Sequence, residues 1–153
     1  MNKDILNKLY QSQKLNKTQI NKAIDTKLNL KSLYQHQKLN TSQINRAIEI
    51  GLDLDYLYIF RKLNFSNINI AIDRGISLSS LYKFQTLSHT NIDNAIKKEK
   101  DLDSLYEFQK LDESQIEKAI EKRLELNKIK KHQLLNSSQK KRLIFLQKQN
   151  LED

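Results

Sequence analysis

A basic residue recurs at one fixed position of this chain with a 24-residue spacing. A row of lysines at regular spacing can neutralise the phosphates of a nucleic acid or pair with an acidic protein surface. The row consists of Lys14, Lys38, Lys62 and Lys110, and Thr86 interrupts it. Further basic residues close to this position are Arg61, Lys83, Lys130 and Lys131. These eight residues are a candidate basic stripe, and the alternative is that the lysines only keep a solvent-exposed face hydrated.

Glutamine and tyrosine recur with the same spacing. The glutamines are Gln13, Gln37, Gln85, Gln109 and Gln133, with Arg61 at the equivalent place in one segment. They fall near the middle of an apolar helix face, where a buried amide needs hydrogen-bond partners. We favour a ladder that joins neighbouring segments over a row that reads a ligand.

The tyrosines are Tyr10, Tyr34, Tyr58, Tyr82 and Tyr106. Such a row could stack nucleic-acid bases. Each tyrosine also lies four residues after a core leucine, which favours a packed ring whose hydroxyl reaches water. Phe60, Phe84 and Phe108 share a flanking position with His36 and His132, and they form either an exposed aromatic strip or part of the core.

Three apolar residues occupy positions that are polar in other segments: Ile50, Phe65 and Ile70. With Arg46 they form a candidate contact for a protein partner, because apolar and arginine side chains anchor protein interfaces. Scattered exposed apolar residues are common, so a neutral surface role stays open.

Residues that could perform catalysis are poorly arranged. His36, His89 and His132 lack the spacing of metal ligands, cysteine is absent, and no glycine-rich phosphate loop occurs. We therefore expect no enzyme activity, no metal, no cofactor and no small-molecule substrate.

The spacing that places these residues is an internal repeat. Leu-Tyr pairs begin at residues 9, 33, 57, 81 and 105, and Ala-Ile pairs begin at residues 23, 47, 71, 95 and 119. A fixed period without insertions indicates identical units that stack on one another. Because the chain contains no proline, only two glycines and 29% charged residues, the units are expected to be helical.

Each unit reads as two helices. Leu54, Leu57 and Tyr58 share one face of a first helix of about ten residues, which Asp53 can cap. Polar residues such as Asn40, followed three places later by Gln43, have the capping-box spacing and predict the start of a second helix. Gly51 and Gly75 stand where a left-handed helix end is expected.

The prediction is thus an all-α fold: an α-solenoid of five 24-residue helix-turn-helix repeats plus a degenerate C-terminal capping unit. We expect one domain over residues 1–153, with a partial unit at 1–8, repeats at 9–128 and a cap at 129–153. The cap is indicated by Lys130 and Lys140, which replace the tyrosine and a buried isoleucine of the other units. An open stack needs such a polar end.

The chain resembles the α-solenoid class of helical-repeat proteins, which includes HEAT, armadillo and tetratricopeptide arrays. The resemblance is architectural, because the 24-residue period is shorter than those families use and none of their motifs occurs. It implies binding of a protein or a nucleic acid along an extended face.

Charge and composition bound the partner. The net charge is +9 and the isoelectric point is about 9.6, which admits polyanions. In the five repeats the net positive charge falls on the first-helix segments, while the second-helix segments balance to zero; the fifth repeat is acidic in both. No apolar run is long enough for a membrane span and no signal peptide is evident, so we expect a cytoplasmic protein without membrane contact.

These observations predict a non-catalytic, intracellular binding module with a macromolecular partner. Protein is favoured over nucleic acid, with the chain acting as an adaptor or as an inhibitor that occludes its target. The alternative is direct nucleic-acid binding through the basic stripe of the first-helix layer.

Overall fold

The computed structural model describes residues 3–152, which form twelve α-helices and no strand. The helices are α1 (Lys3–Ser12), α2 (Lys17–Thr26), α3 (Leu30–His36), α4 (Thr41–Ile50), α5 (Leu54–Phe60), α6 (Phe65–Arg74), α7 (Leu78–Phe84), α8 (His89–Lys97), α9 (Leu102–Phe108), α10 (Glu113–Glu121), α11 (Leu126–His132) and α12 (Ser137–Glu152). The predicted all-α fold is confirmed. Odd-numbered helices are the first helices of the repeats, and even-numbered helices are the second helices.

The chain divides into two compact units, Met1–Gln85 and Thr86–Asp153. The first contains α1 to α7 and the second contains α8 to α12. Each is described by itself below, and the single domain over residues 1–153 stays a prediction.

Both units are built from two rows of helices. In the first unit, α1, α3, α5 and α7 pack in sequence, α2, α4 and α6 pack in sequence, and α2·α3 and α6·α7 contacts join the rows. In the second unit, α9 packs on α11, while α8, α10 and α12 form the other row. The first helices of neighbouring repeats therefore contact each other, and so do the second helices, which is the packing of a helical solenoid.

The second helices begin where the sequence predicts. In α2, α4, α6, α8 and α10 the N-cap side chain accepts from the N3 backbone, and the N3 side chain accepts from the N-cap backbone. Asn40 and Gln43 are one such pair, with N···O distances of 2.8 and 2.9 Å. Each box satisfies two backbone donors that the helix itself leaves open.

The first helices differ from the prediction in two ways. From α3 onward they have seven residues rather than about ten, because the next residue, such as Gln37, takes an extended conformation. Their N-cap residues, including Asp53, lie in the left-handed region and make no side-chain cap bond. Capping geometry requires an extended N-cap residue, so Asp53 does not cap through its side chain.

The ends of the second helices confirm the glycine prediction. Gly51 and Gly75 have φ angles of 76° and 74°, and their N–H groups donate to Ala47 and Ala71. Lys27 holds the equivalent place in α2 with φ of 61°. A left-handed residue here turns the chain directly into the next first helix.

The core is the seam between the two rows. Leu33, Tyr34, Ala47 and Ile48 have essentially no exposed surface, and their equivalents recur in later repeats. Burying such a leucine or isoleucine side chain stabilises the fold by about 1.5–3 kcal/mol. Helices this short depend on that packing. None of the helices between residues 3 and 152 combines the length and the apolar character that a bilayer crossing requires.

The last repeat differs from the others at two core positions. Lys130 and Lys140 are exposed, although the residues at the same positions one repeat earlier, Tyr106 and Ile116, are buried. The predicted capping unit thus presents cations where the other repeats present apolar side chains.

Candidate protein-binding surface

The outer side of the first helices in the first unit forms a groove of about 600 Å³. It crosses three successive first helices, and Gln11 of α1, Lys31 and Gln35 of α3, and Tyr56 of α5 line it. The sequence positions explain this lining. Leu30, Leu33 and Tyr34 face the core at i, i+3 and i+4, so Lys31 and Gln35 must face outward. We call this feature the first-helix groove.

Aromatic and aliphatic side chains lie on α5 and α7, and one of them, Tyr56, lines the groove. The rings of Tyr56 and Phe60 are stacked with centroids 6.4 Å apart, and Lys31 Nζ lies 4.5 Å from the Tyr56 ring centre. Ile59 and Phe84 are each 45% exposed. We call Tyr56, Ile59, Phe60 and Phe84 the aromatic surface. Of the flanking phenylalanines of this unit, Phe84 is exposed, as an exposed strip requires, whereas Phe60 is partly buried.

Tyr56 and Ile59 were not among the sequence candidates. The signal that could have found them is the one that singled out Phe65: an apolar residue at a position that is polar elsewhere. Tyr56 aligns with Ser32 and Ser80, and Ile59 aligns with Gln35 and Lys83.

The basic stripe lies on two different parts of the surface. Lys14, Lys38 and Lys62 are exposed, but they lie in the loops that follow the first helices rather than on those helices. Lys83 lies on α7, with Nζ 5.4 Å from the Phe84 ring centre. In the second unit, Lys110 lies in a loop, whereas Lys130 and Lys131 lie on α11. These basic residues therefore do not form one stripe along the first helices.

From Gln37 onward the glutamine row is a structural ladder, whereas Gln13 is exposed. Gln37 Nε2 donates to the carbonyls of Tyr10 and Gln13, at 2.6 and 2.7 Å, and Gln37 Oε1 accepts from Leu15 N at 3.0 Å. Gln85 and Gln133 make the same three bonds to the repeats before them. These amides satisfy backbone groups at the ends of first helices, so they are not available to read a ligand.

Arg61 breaks the ladder. Its side chain donates from Nη2 to the Gln35 carbonyl at 3.3 Å, while its Nε is buried and has no hydrogen-bond partner among residues 3–152. A guanidinium cannot accept, so the buried Leu39 N–H loses the acceptor that a glutamine would supply. The replacement instead directs a cation to the backbone carbonyl of Gln35, a residue that lines the first-helix groove.

A second ladder was not foreseen. The N3 side chains of the capping boxes also reach the preceding second helix: Gln43 Nε2 donates to Asn21 Oδ1 at 3.1 Å, and Asn67 Nδ2 donates to Asn45 Oδ1 at 2.6 Å. In the second unit, Gln139 makes the equivalent bond to Glu117. Sequence spacing revealed the helix cap but not this use of the remaining amide hydrogens.

The tyrosine row belongs to the core. Tyr34, Tyr58 and Tyr106 are at most 1% exposed, so stacking on nucleic-acid bases is wrong for them. The hydroxyls of Tyr34 and Tyr106 do not reach water but donate to the carbonyls of Leu52 and Leu124, at 3.2 and 3.1 Å. Burial raises the pKa of both phenols, and nearby carboxylates raise it further: Asp53 for Tyr34, Glu125 and Glu99 for Tyr106.

The candidate partner contact on the second helices is dispersed. Phe65 begins α6 and is 64% exposed, Ile70 lies near the middle of α6, and Ile50 ends α4. Thr41 is the equivalent of Phe65 in the preceding repeat, and Ile50 lies nine residues beyond Thr41. Ile50 and Phe65 therefore differ by about 13 Å in their position along the helix axis. Arg46 pairs with Asp25 at 3.2 Å and with Glu49 at 3.4 Å.

The three histidines lie in different repeats. His36 faces the first-helix groove, while His89 contacts Asp112 at 2.7 Å and Asp93 at 3.2 Å, and His132 ends α11. Over the described part of the chain, no group of three or more His, Cys, Asp or Glu residues has the geometry of a metal site.

Comparison with known proteins identifies no relative: no family model, curated protein or solved structure matches the chain. The proposals below therefore rest on its own residues.

Proposed function

We propose that this chain is a non-catalytic binding module that holds a segment of another protein along the first helices of its first unit. The observation that carries the proposal is the aromatic surface beside a polar groove. Exposed Ile59 and Phe84 offer apolar anchors, and stacked Tyr56 and Phe60 offer rigid contact area at low entropic cost. A chain that binds in this way acts as an adaptor, or as an inhibitor if it covers a working surface of its partner.

The cations around this surface favour a partner that carries carboxylates. Lys31 lies over Tyr56, Lys83 lies over Phe84, and Arg61 is held beside Phe60 by the Gln35 carbonyl. Arg61 is informative because it occupies a ladder position at the expense of buried hydrogen bonds. Proteins keep such locally unfavourable residues mainly where function requires them.

A photo-crosslinking experiment in the source cell tests the proposal. A crosslinking amino acid replaces Ile59 or Phe84 in the aromatic surface, or exposed Glu49 of α4 as a matched control. We expect a protein adduct at positions 59 and 84, absent at position 49, that is lost when Tyr56→Ala and Lys31→Glu are added. Adducts of equal yield at all three positions would contradict a specific surface.

Nucleic acid is the second candidate, and one observation favours it. Lys14, Lys38 and Lys62 are exposed, recur at the same loop of successive repeats, and form no ion pair within residues 3–152. Neighbouring helices are about 8–10 Å apart, a spacing that can follow a phosphate backbone. This candidate predicts binding of RNA or DNA that falls steeply with salt.

The two candidates are separated by charge reversal. Lys14→Glu, Lys38→Glu and Lys62→Glu together should abolish nucleic-acid binding and leave the crosslinks at positions 59 and 84 intact. If the triple variant loses the protein adduct as well, the loops and the aromatic surface serve one ligand, and the proposal in its present form is wrong.

A further inference from the structure

The two edges of the first unit differ in charge. Each first helix runs from one edge to the other and each second helix runs back, so successive loops alternate between the edges. All acidic residues of this unit lie at one edge: in the last two residues of a second helix, in the first two residues of a first helix, or in the loop between them. They are Asp4, Asp25, Glu49, Asp53, Asp55 and Asp73.

The opposite edge is formed by the loops after α1, α3 and α5 and by the start of the second helix that follows each loop. First helices end and second helices begin here, so the opposite partial charges of the helix ends offset each other and the side chains determine the potential. The exposed cations of this edge, which form no ion pair within residues 3–152, are Lys14, Lys17, Lys38 and Lys62. We call these four lysines and Phe65 the basic edge.

One aromatic ring belongs to the basic edge. Phe65 begins α6, is 64% exposed and follows Lys62 by three residues. Its equivalents in the two preceding repeats are Lys17 and Thr41, which begin α2 and α4. Asn64 Nδ2 donates to Thr41 Oγ1 at 3.2 Å, so the start of α6 lies beside the start of α4. The ring therefore shares its edge with the lysines.

Cations at a constant spacing suit a polymer that carries a constant charge per length. Neighbouring second helices contact each other, and packed helices are about 8–10 Å apart. A strand with stacked bases advances about 3.4 Å per nucleotide, so roughly three nucleotides correspond to one repeat. An unpaired base also offers a face on which an aromatic ring can stack, whereas the bases of a duplex are already stacked on one another.

We propose that the basic edge binds single-stranded nucleic acid, with the lysines against the phosphates and Phe65 stacked on a base. This assignment rests on nucleic-acid binding by the loop lysines, and it adds the form of the nucleic acid and the side chain that selects it. The aromatic surface takes no part, because its residues lie on the first helices α5 and α7, away from the loops that form the basic edge.

An acidic protein is the competing ligand for these cations. Protein interfaces are enriched in arginine and depleted in lysine, whereas the basic edge consists of lysines. The one arginine of these loops, Arg61, donates to the Gln35 carbonyl. In the second unit the equivalent loops carry Asp112 and Glu113, so the proposed site is confined to the first unit. These charges favour a phosphate backbone as the ligand.

Fluorescence anisotropy with labelled oligonucleotides tests the proposal on the full-length chain. The probes are oligo(dT) and oligo(U) of about 12 nucleotides, long enough for three repeats, and a duplex of the same length. We expect the single strands to bind more tightly than the duplex, with a slope of log affinity against log salt of about −3 if all four lysines take part. The tighter of the two strands identifies DNA or RNA as the source. Absence of binding at low salt, or equal affinity for strand and duplex, would overturn the proposal.

Two lysines at opposite ends of α2 are a matched pair. Lys17 begins the helix at the basic edge, and Lys27 follows its last residue at the acidic edge, about 15 Å away along the helix axis. Lys17→Gln should make the salt slope shallower by about 0.7, whereas Lys27→Gln should leave it unchanged. Equal changes would mean that net charge alone governs binding and that the assigned edge is wrong.

Phe65→Trp reports stacking directly, because the chain contains no other tryptophan. Its fluorescence should be quenched by the single strands and not by the duplex. Phe65→Leu keeps an apolar side chain without a ring, and it should weaken strand binding at least about fivefold while duplex binding stays the same. An unquenched tryptophan together with an unchanged affinity of the leucine variant would refute the single-strand assignment, although phosphate binding by the lysines would stand.

Competition with poly-glutamate separates the two ligand classes. We expect poly-glutamate to displace the labelled strand much less effectively than an unlabelled strand with the same number of charges. Equal displacement would show that the basic edge takes an acidic protein, and the proposal would be wrong. None of these outcomes alters the crosslinks expected at positions 59 and 84, so this proposal and that of a protein segment on the aromatic surface fail separately.

Discussion

Gln133 Nε2 donates to the backbone carbonyl of Tyr106 at 2.7 Å, across a separation of 27 residues in the sequence. The same bond joins Gln37 to Tyr10 and Gln85 to Tyr58, at 2.6 Å in both cases. Each of these glutamine side chains thereby satisfies a backbone carbonyl at the end of the first helix of the preceding repeat. The stability of one repeat therefore depends on a side chain that belongs to the next.

The ladder predicts a large effect from a nearly isosteric substitution. Gln37→Leu removes two donations and one acceptance and leaves buried backbone groups of Tyr10, Gln13 and Leu15 unpaired. We expect a loss of about 2–4 kcal/mol in the free energy of unfolding. Urea unfolding followed by circular dichroism measures it. The control is Gln35→Leu on the exposed side of α3, the helix that Gln37 follows, and it should change stability by less than about 0.5 kcal/mol.

Arg61→Gln should stabilise the protein. The glutamine can donate to the Tyr34 and Gln37 carbonyls and accept from Leu39 N–H, as its equivalents do in other repeats. Restored buried hydrogen bonds are each worth about 0.5–1.5 kcal/mol, so the unfolding midpoint should rise. The same variant should reduce the photo-crosslink at position 59 or 84. A variant that is less stable than the parent would show that Arg61 is well accommodated.

Removal of a hydroxyl should have opposite effects at two equivalent tyrosines. Tyr34 donates to the Leu52 carbonyl, whereas the buried hydroxyl of Tyr58 has no partner among the described residues. Tyr34→Phe should cost about 1 kcal/mol, and Tyr58→Phe should be neutral or stabilising, because an unpaired buried polar group is itself costly. Thermal unfolding of the two variants side by side decides the matter, and equal losses would contradict this assignment.

Stability should fall in alkaline solution because burial raises the pKa of Tyr34, Tyr58 and Tyr106 above the ordinary value of 10. Above pH 10 the unfolded chain loses these protons while the folded chain keeps them. The contribution is therefore complete below about pH 10 and declines as the pH rises further. Urea unfolding at pH 9 and pH 11 measures the loss.

The control for this prediction is Tyr106→Phe. Its stability should fall less between the two pH values than that of the parent. An identical fall would mean that the phenol of Tyr106 does not contribute to the alkaline loss.

The left-handed helix ends offer a matched pair. A Cβ on Gly51, at φ of 76°, would lie 3.1 Å from Ile76 Cδ1, so Gly51→Ala should cost about 1–2 kcal/mol. Lys27 holds the same conformation without being glycine, and Lys27→Gly should gain up to about 1 kcal/mol. Thermal midpoints of the two variants should move in opposite directions. Movement in the same direction would show that side-chain contacts outweigh the backbone at this position.

Local patterns were sufficient to predict the repeat, the two helices and the caps of the second helices, because each rests on residues only a few places apart. The spacing of Asn40 and Gln43 predicts the start of a helix, and Gly51 predicts its end. The left-handed conformation of Asp53 was missed, since a residue type favoured at N-caps does not specify which backbone region it takes. The first helices were predicted too long for the same reason, because residue type does not show that the residue after each helix, such as Gln37, is extended.

The candidate surfaces were harder to predict because they depend on which residues neighbouring repeats bring together. The glutamine ladder was foreseen from burial alone, but the second ladder of Gln43 and Asn67 needed the position of the preceding helix. The loop lysines were assigned to the helix layer because no local signal separates Lys38 from Gln35. Tyr56 and Ile59 were overlooked because each departs from the repeat pattern at one position only, and their role depends on their place beside Phe60.

The side chains that join neighbouring repeats mostly form hydrogen bonds with main-chain atoms, as Gln85 does with the carbonyls of Tyr58 and Arg61. Main-chain atoms are the same whatever amino acid carries them. A repeat can therefore change its outward-facing residues, be duplicated or be exchanged without a matching change next to it, so new recognition surfaces can arise by copying units instead of redesigning the protein.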